Sequence, residues 1–401
     1  MKIDIYSDNF RQNPYPFYED IRNAGSAVYD SKRNVWYVGR YDDVAQILHN
    51  PENFTNKLAG VEPTLHGADG TLHAHSRKIV QKAFNKTRVN ELNSAISSLA
   101  DRLVARMSDK NECEFVGKIA SHMPASVVIW MMGFENISVE DVRRWSDAII
   151  SSGARQLIAE TYSKPVTMIR NGLRRFKGKI YSNTARDITE CKMFLQEHFE
   201  NARQQCCSGW VTNYLVNQEE DESLSMRELL DVGFLMIVAG AETTTDLISN
   251  AVLLLANNPA IQSQLRNNPL LLESFIEEVL RYDPPVQLRP RFANCSTMIG
   301  NVSVPSDSEI VILIGSANRD PEIFPSAEQF KIDRDPNKHL SFGMGRHFCL
   351  GAQLARRESF ALLDAMIKKL PPVKLARPGE NIEYPANITL RGPRYLPVIF
   401  S

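Results

Sequence analysis

The chain has 401 residues, 43% of them apolar and 23% charged, with a formal charge of −1. That is enough to bury a large core, and the near-neutral balance gives no reason to expect nucleic acid as a partner. Length alone suggests two or three domains, yet no Gly/Ser-rich linker, low-complexity tract or internal repeat marks a boundary, so residues 1–401 read as one large domain. Six cysteines (Cys113, Cys191, Cys206, Cys207, Cys295, Cys349) are scattered without a CxxC pair or a disulfide-framework spacing. The polar start, Met1 to Asp8, carries no signal peptide or membrane anchor, and a reducing cytoplasm is the expected setting.

In chain order, residues 13–22 predict a turn and a short helix, and residues 27–30 with 35–38 a small hairpin of strand formers. Residues 41–49 carry a helical pattern, and Leu58 to Gly70, with three Gly and one Pro, reads as a loop. His73 and Arg77 lie four apart, on one face of the next helix. Helical patterns then dominate to about residue 285. Within them, residues 161–186 hold seven cations (Lys164, Arg170, Arg174, Arg175, Lys177, Lys179, Arg186) and no acid. Such a run fits an entrance for an anionic small molecule or an acidic carrier protein, and equally a basic solvated surface.

Residues 226–256 form the longest helical pattern, closed by Asn257, Asn258 and Pro259. Its centre, Val238-Ala239-Gly240-Ala241-Glu242-Thr243-Thr244-Thr245, sets a glycine, an acid and three β-branched threonines in an apolar span. Local rules that fail together mark a functional site. Ala239 and Thr243 share a face by spacing, with small residues where a planar group approaches; a polar helix end is the structural alternative.

Glu278 and Arg281, three apart, have the spacing of a helical salt bridge. Strand-like residues 309–313 follow, and then 321–340, with Pro321, Pro325 and Pro336, read as a long irregular connection. It leads into Phe342-Gly343-Met344-Gly345-Arg346-His347-Phe348-Cys349-Leu350-Gly351, a glycine-punctuated loop just before a helix over 352–363. Glycines let this backbone turn sharply and pass close to a flat, bulky ligand. A cysteine ahead of a helix N-terminus is favoured as a thiolate, and a thiolate is a competent axial ligand for haem iron. The alternative is a buried free cysteine.

This ten-residue loop closely resembles the haem-ligand loop of the cytochrome P450 family, and with the other motifs the resemblance spans nearly the whole chain. It implies a mainly α fold with a minor β-sheet, the haem lying between a long distal helix and the proximal cysteine loop. It also implies haem b (iron protoporphyrin IX) with Cys349 as the metal ligand, and Ala239, Gly240, Thr243, Phe342, Gly343 and Gly351 around the cofactor. Glu242 and Thr243 become the proton-delivery pair. His73, Arg77, Arg291 and His347 become the contacts of the haem propionates, which need cations at the rim of an apolar slot. Glu278 and Arg281 take a structural role, pinning residues 321–340 with His339 or Arg334 as third partner.

By the same resemblance the chain is a monooxygenase that hydroxylates or epoxidises a small organic molecule with electrons from a separate ferredoxin and its reductase. Lys78, Lys82, Arg346, Arg356 and Arg357 form either a docking patch for an acidic donor or an ordinary solvated face. The pocket is expected from residues 58–70, 148–180, Phe234 to Ala239, Val286 to Leu288 and a turn near Ala386 to Thr389. Rival readings are a peroxide-driven oxygenase, a desaturating or coupling oxidase on the same fold, and a haem-based gas sensor.

Overall fold

The computed structural model describes residues 4–56, 68–84, 90–108, 112–161, 174–205, 207–219 and 223–401. The fold is mainly helical, with 56% helix and 11% strand. Its contacts divide into two compact units, Met1–Ala74 with Phe84–Pro124 and Thr243–Ser401, and His75–Ala83 with Ala125–Glu242.

The first unit holds the strands. They are β1 (Val28–Asp30), β2 (Val35–Val38), β3 (Phe54–Thr55), β4 (Cys113–Glu114), β5 (Leu288–Ala293), β6 (Thr297–Ile299), β7 (Val302–Val304), β8 (Glu309–Leu313), β9 (Val373–Leu375) and β10 (Pro397–Phe400). Five of them form one sheet in the order β1-β2-β8-β5-β3. The expected hairpin β1–β2 is present, with Tyr29 opposite Trp36. β2 pairs in parallel with β8, and β8 pairs antiparallel with β5, setting Ile310 opposite Arg291 and Ile312 opposite Arg289. Strand alternation sends Val38, Ile310 and Ile312 into a core with Val44, Ile47 and Phe324. Val35, Tyr37, Val311 and Leu313 pack the other face against Phe10, Tyr18 and Ile21.

The helix Leu272–Tyr282 places its apolar residues at 272, 275, 276, 279 and 280, and all are buried. On the same buried side lie Glu278 and Arg281, both fully inaccessible. Arg281 donates through Nε and one terminal nitrogen to the two Glu278 oxygens, at 2.8 and 2.7 Å. Its remaining donors reach the carbonyls of Asn318, Ala327 and Gln329 at 3.0, 2.7 and 2.9 Å. Arg334, not His339, is the third partner, with Nε at 3.1 and 3.0 Å from the Glu278 oxygens. The Lys331 amide and Asn337 add bonds of 2.9 and 3.1 Å. The irregular residues 321–340 are thus held by one saturated ion cluster rather than by a ladder.

In the second unit, Trp145, Phe194, Phe134 and His198 form an aromatic core, with Trp145 and Phe194 ring centroids 5.2 Å apart and Phe134 and His198 4.9 Å apart. The helix Met226–Leu235 opens on a capping box, in which the Glu228 amide donates to Ser225 Oγ and the Ser225 amide to Glu228. It does not run on as a plain α-helix. A π turn occupies Met236–Gly240 before α geometry resumes at Ala241–Asn257. Among the described residues this span, Met226–Asn257, is one helix long and apolar enough to cross a membrane, and 56% of its most apolar window is buried inside the protein.

Candidate active site

The cysteine loop begins where Asn318 takes the Leu340 amide at 2.7 Å and donates to Ser341 Oγ at 2.8 Å. Ser341 Oγ in turn donates to the Leu280 carbonyl at 2.6 Å, tying the loop entry to the helix Leu272–Tyr282. Glu277 of that helix clamps both ends of the loop. It bonds His339 Nε2 at 3.1 Å on the entry side and Arg356 at 2.6 and 2.8 Å on the exit side. Burial opposes its charge, but these donors hold its carboxyl down to about 2. Between the clamps, Gly343 and Gly345 adopt φ of +70° and +66°, a region costly for any residue with a Cβ. The Cys349 amide then donates back to the Phe342 carbonyl at 2.9 Å, closing the turn and leaving Cys349 exposed.

The helix after the loop starts at Ala352, with Gly351 as its N-cap, and runs to Lys369. Cys349 therefore sits three residues ahead of the helix rather than directly upon it. The Arg356 guanidinium lies 4.4 Å from the Phe342 ring centroid, so Phe342 is fixed from the helix side.

Two of the expected rim residues come together. His73, on the helix Gly70–Ala83, and His347 pack with ring centroids 4.1 Å apart and planes tilted by 40°. Arg291, on β5, is buried, and burial followed by its neighbour Arg289 pulls its guanidinium down to about 10 while Asp69 opposes them. Arg77 is half-buried on the same helix as His73, in the second unit.

Two further residues escaped the sequence reading. Arg289 lies two before Arg291, on the same face of β5, and burial lowers its pKa while the charge of Cys349 opposes that shift. Strand alternation from Arg291 was the signal that could have found it. Asp69 accepts from His347 Nε2 at 2.9 Å and from the Asn56 amide at 2.7 Å, and Thr55 Oγ1 donates to it as well. No local pattern announces these contacts.

In the second unit, Glu242 is half-buried at the start of the helix Ala241–Asn257. Burial first, then the nearby Asp147, pushes its carboxyl up to about 7, with Arg143 opposing. Thr243, the next residue, is half-buried, whereas Thr244 and Thr245 are buried. The π turn adds one residue to the turn before them, so regular α spacing no longer decides whether Ala239 and Thr243 share a face. Ala239 is exposed, and a Cβ on Gly240 would stand 2.9 Å from a methyl of Val128, so its small size serves helix packing.

Of the expected pocket segments, two meet. Val286 bridges Leu390, and the Gln287 amide donates to the Thr389 carbonyl at 2.8 Å. Most of the loop expected over 58–70 lies outside the described residues, with Gly70 already opening a helix. Lys164 and Arg170 of the basic run, and the side chains of Arg174, Arg175, Lys177 and Lys179, also lie outside them. Three supposed docking cations have partners: Arg346 with Glu52 at 2.6 Å, Arg356 with Glu277, and Arg357 with Asn93 at 2.7 Å.

An exposed thiol on a tight turn, two arginines on one strand face and a histidine pair form a donor set suited to a metal group that carries carboxylates. Residues 26–373 match the family described as Cytochrome P450, and the chain belongs to that family. Cytochrome P450 109 of Bacillus spizizenii is 32% identical over 399 residues, covering 98% of this chain and 94% of that protein. Cytochrome P450 CYP109Q5 from Chondromyces apiculatus is similar in structure, with a TM-score of 0.86 and 27% identity over 100% of this chain and 98% of that one. CYP109E1 from Bacillus megaterium in complex with corticosterone gives a TM-score of 0.84 and 27% identity, covering 98% and 99%. The family's defining cofactor is haem b with a proximal cysteine ligand, and its members are haem monooxygenases of small organic substrates. The chain is thus an oxidoreductase of the P450 class, and an electron donor is among its partners.

Proposed function

We propose that the chain inserts one atom of dioxygen into a C–H or C=C bond of a small organic molecule, and that Cys349 would hold the iron of its haem. The observation that carries this reading is the cysteine turn, in which two left-handed glycines and the Cys349-to-Phe342 hydrogen bond hold the thiol out from a clamped loop. When bound, the haem supplies the redox chemistry that activates dioxygen.

The chain's own residues do the rest. In the first unit His73, Arg291 and His347 would neutralise haem carboxylates, and Arg289 would join them from the same strand face as Arg291. Phe342, Gly343 and Gly351 shape the turn that would carry the cofactor's cysteine ligand. Burial and Asp147 raise Glu242 to about 7, so near that pH a share of the molecules keeps a proton that an unburied glutamate would have lost. Thr243, one residue on, supplies a hydroxyl that receives that proton and passes it forward. Val286 to Leu288 and the turn through Thr389 form one substrate wall. A steroid occupies a structural relative, which makes compact polycyclic molecules a first class to screen.

Electrons come from a separate ferredoxin-type protein and its reductase. Arg346, 60% exposed in its pair with Glu52, is the cation that a donor's carboxylate can capture in exchange. The chain works in the cytoplasm on this reading.

The test is turnover in isotopically labelled dioxygen with a ferredoxin, its reductase and a substrate that shifts the haem absorption. The reading requires one labelled oxygen atom in the product and consumption of reductant that follows product formation. Haem that binds gases without such consumption contradicts it and favours a sensor.

A further inference from the structure

We propose that Asp69 is a positioning residue of the haem rim: a resident carboxylate that fixes the His347 ring. This rests on the reading of the chain as a haem protein given above.

Both Asp69 oxygens are engaged, and with different elements. Oδ1 takes His347 Nε2 at 2.9 Å, while Oδ2 takes the Asn56 amide at 2.7 Å and the Thr55 hydroxyl of β3. The Asn56 side-chain amide lies 2.8 Å from the same His347 nitrogen. One carboxylate thereby joins the edge strand of the five-stranded sheet, the start of the helix Gly70–Ala83 and the cysteine loop. His73, one turn along that helix, packs against the His347 ring with centroids 4.1 Å apart and planes tilted by 40°, so the imidazole is held by a ring contact as well as by its hydrogen bond.

An ionised carboxylate only accepts hydrogen bonds, so Nε2 is the nitrogen committed to the protein. Among the described residues Nδ1 has no hydrogen-bond partner; with the proton on Nε2 it is an acceptor, and it reaches a haem carboxylate through a water that donates to both. A surface ion pair would have neither the two-oxygen saturation nor a second ring packed against it. The side chains of Asp69 and His347 are each only 19% exposed.

The experiment compares haem-replete parent, Asp69→Asn and Asp69→Ala in two readouts apart from turnover. The first is the rate of haem transfer to an excess of apo-globin. It should rise by about tenfold in Asp69→Asn, the low end of what partners behind a first shell contribute. The second is the one-electron midpoint potential, which should move upward because a negative charge is lost near the rim. The CO-bound absorption should stay that of the parent, since Cys349 is untouched.

The same substitution in a His347→Ala background separates positioning from general support. Acting through His347, Asp69→Asn should there change haem loss by less than about twofold, the scatter of independent sites. Equal effects in both backgrounds, or an unmoved potential and haem-loss rate in the single variant, overturn the proposal. If Asp69→Ala does not fold, the isosteric Asp69→Asn carries both readouts. A parent that takes up no haem overturns the haem reading along with this one, whereas a haem-replete parent with unmoved variants overturns only the role of Asp69.

Discussion

Glu242 and Asp69 are two acids that their surroundings push in opposite directions. Glu242 is raised to about 7 by burial and a like-charged neighbour, and Asp69 is lowered to about 2 because its donors outweigh burial. For Glu242 the sign is definite. From its ordinary value of 4.5 up to about 7 the folded chain holds a proton that the unfolded chain has released, so stability falls as pH rises through that window. Glu242→Gln should therefore gain stability over the parent at pH 8 and lose that gain toward pH 4.5, as urea titrations at several pH values would register. Product formation coupled to reductant should decline in the parent as pH passes about 7. The glutamine variant should be slow throughout and lack that limb. A parallel pH profile in the two proteins would remove Glu242 from proton delivery. The cysteine loop was legible because its motif is contiguous in sequence. Asp69 was not, since its partner His347 lies 278 residues away.

At the scale of elements, the helix Leu272–Tyr282 organises the cysteine loop. Glu277 clamps its two ends, Leu280 anchors Ser341, and Glu278 with Arg281 holds the approach. Arg281→Met would strand a buried carboxylate with part of its cationic shell gone, at a cost of about 3–5 kcal/mol. A lowered urea midpoint and faster haem loss should appear together, because the pinned segment leads into the loop; a loss below about 1 kcal/mol would show that Arg334 alone suffices. The acid–base spacing and the irregular 321–340 connection could be read from residue order. The choice of Arg334 over His339 could not, since both lie in the same irregular connection and only the folded path separates them. The π turn at Met236–Gly240 was signalled by misplaced residues, but its geometry was hidden because helix propensity carries no information about a five-residue repeat.

For the whole molecule, residue order foretold a mainly helical chain with a minor sheet, and the comparisons bear out the family. Charge on the surface was less legible. Counting cations suggested a basic face, whereas Arg346, Arg356 and Arg357 each have a partner drawn from a distant segment. An exposed pair such as Arg346–Glu52 contributes about 0.2–1 kcal/mol, so Arg346→Ala should leave the urea midpoint nearly unchanged. It should instead raise the KM for reduced ferredoxin and flatten its dependence on ionic strength, as steady-state kinetics across a salt series would reveal. An unaltered salt dependence would place the donor's footprint elsewhere.

The central claim is that Cys349 holds the iron of a haem as its thiolate. The most direct measurement is the absorption spectrum of the purified protein, reduced and exposed to CO, beside Cys349→Ser. The parent should give the strongly red-shifted main band of a thiolate-ligated haem, and the serine variant should bind haem without it. A parent that holds haem but lacks that band, or a variant that keeps it, would contradict the assignment.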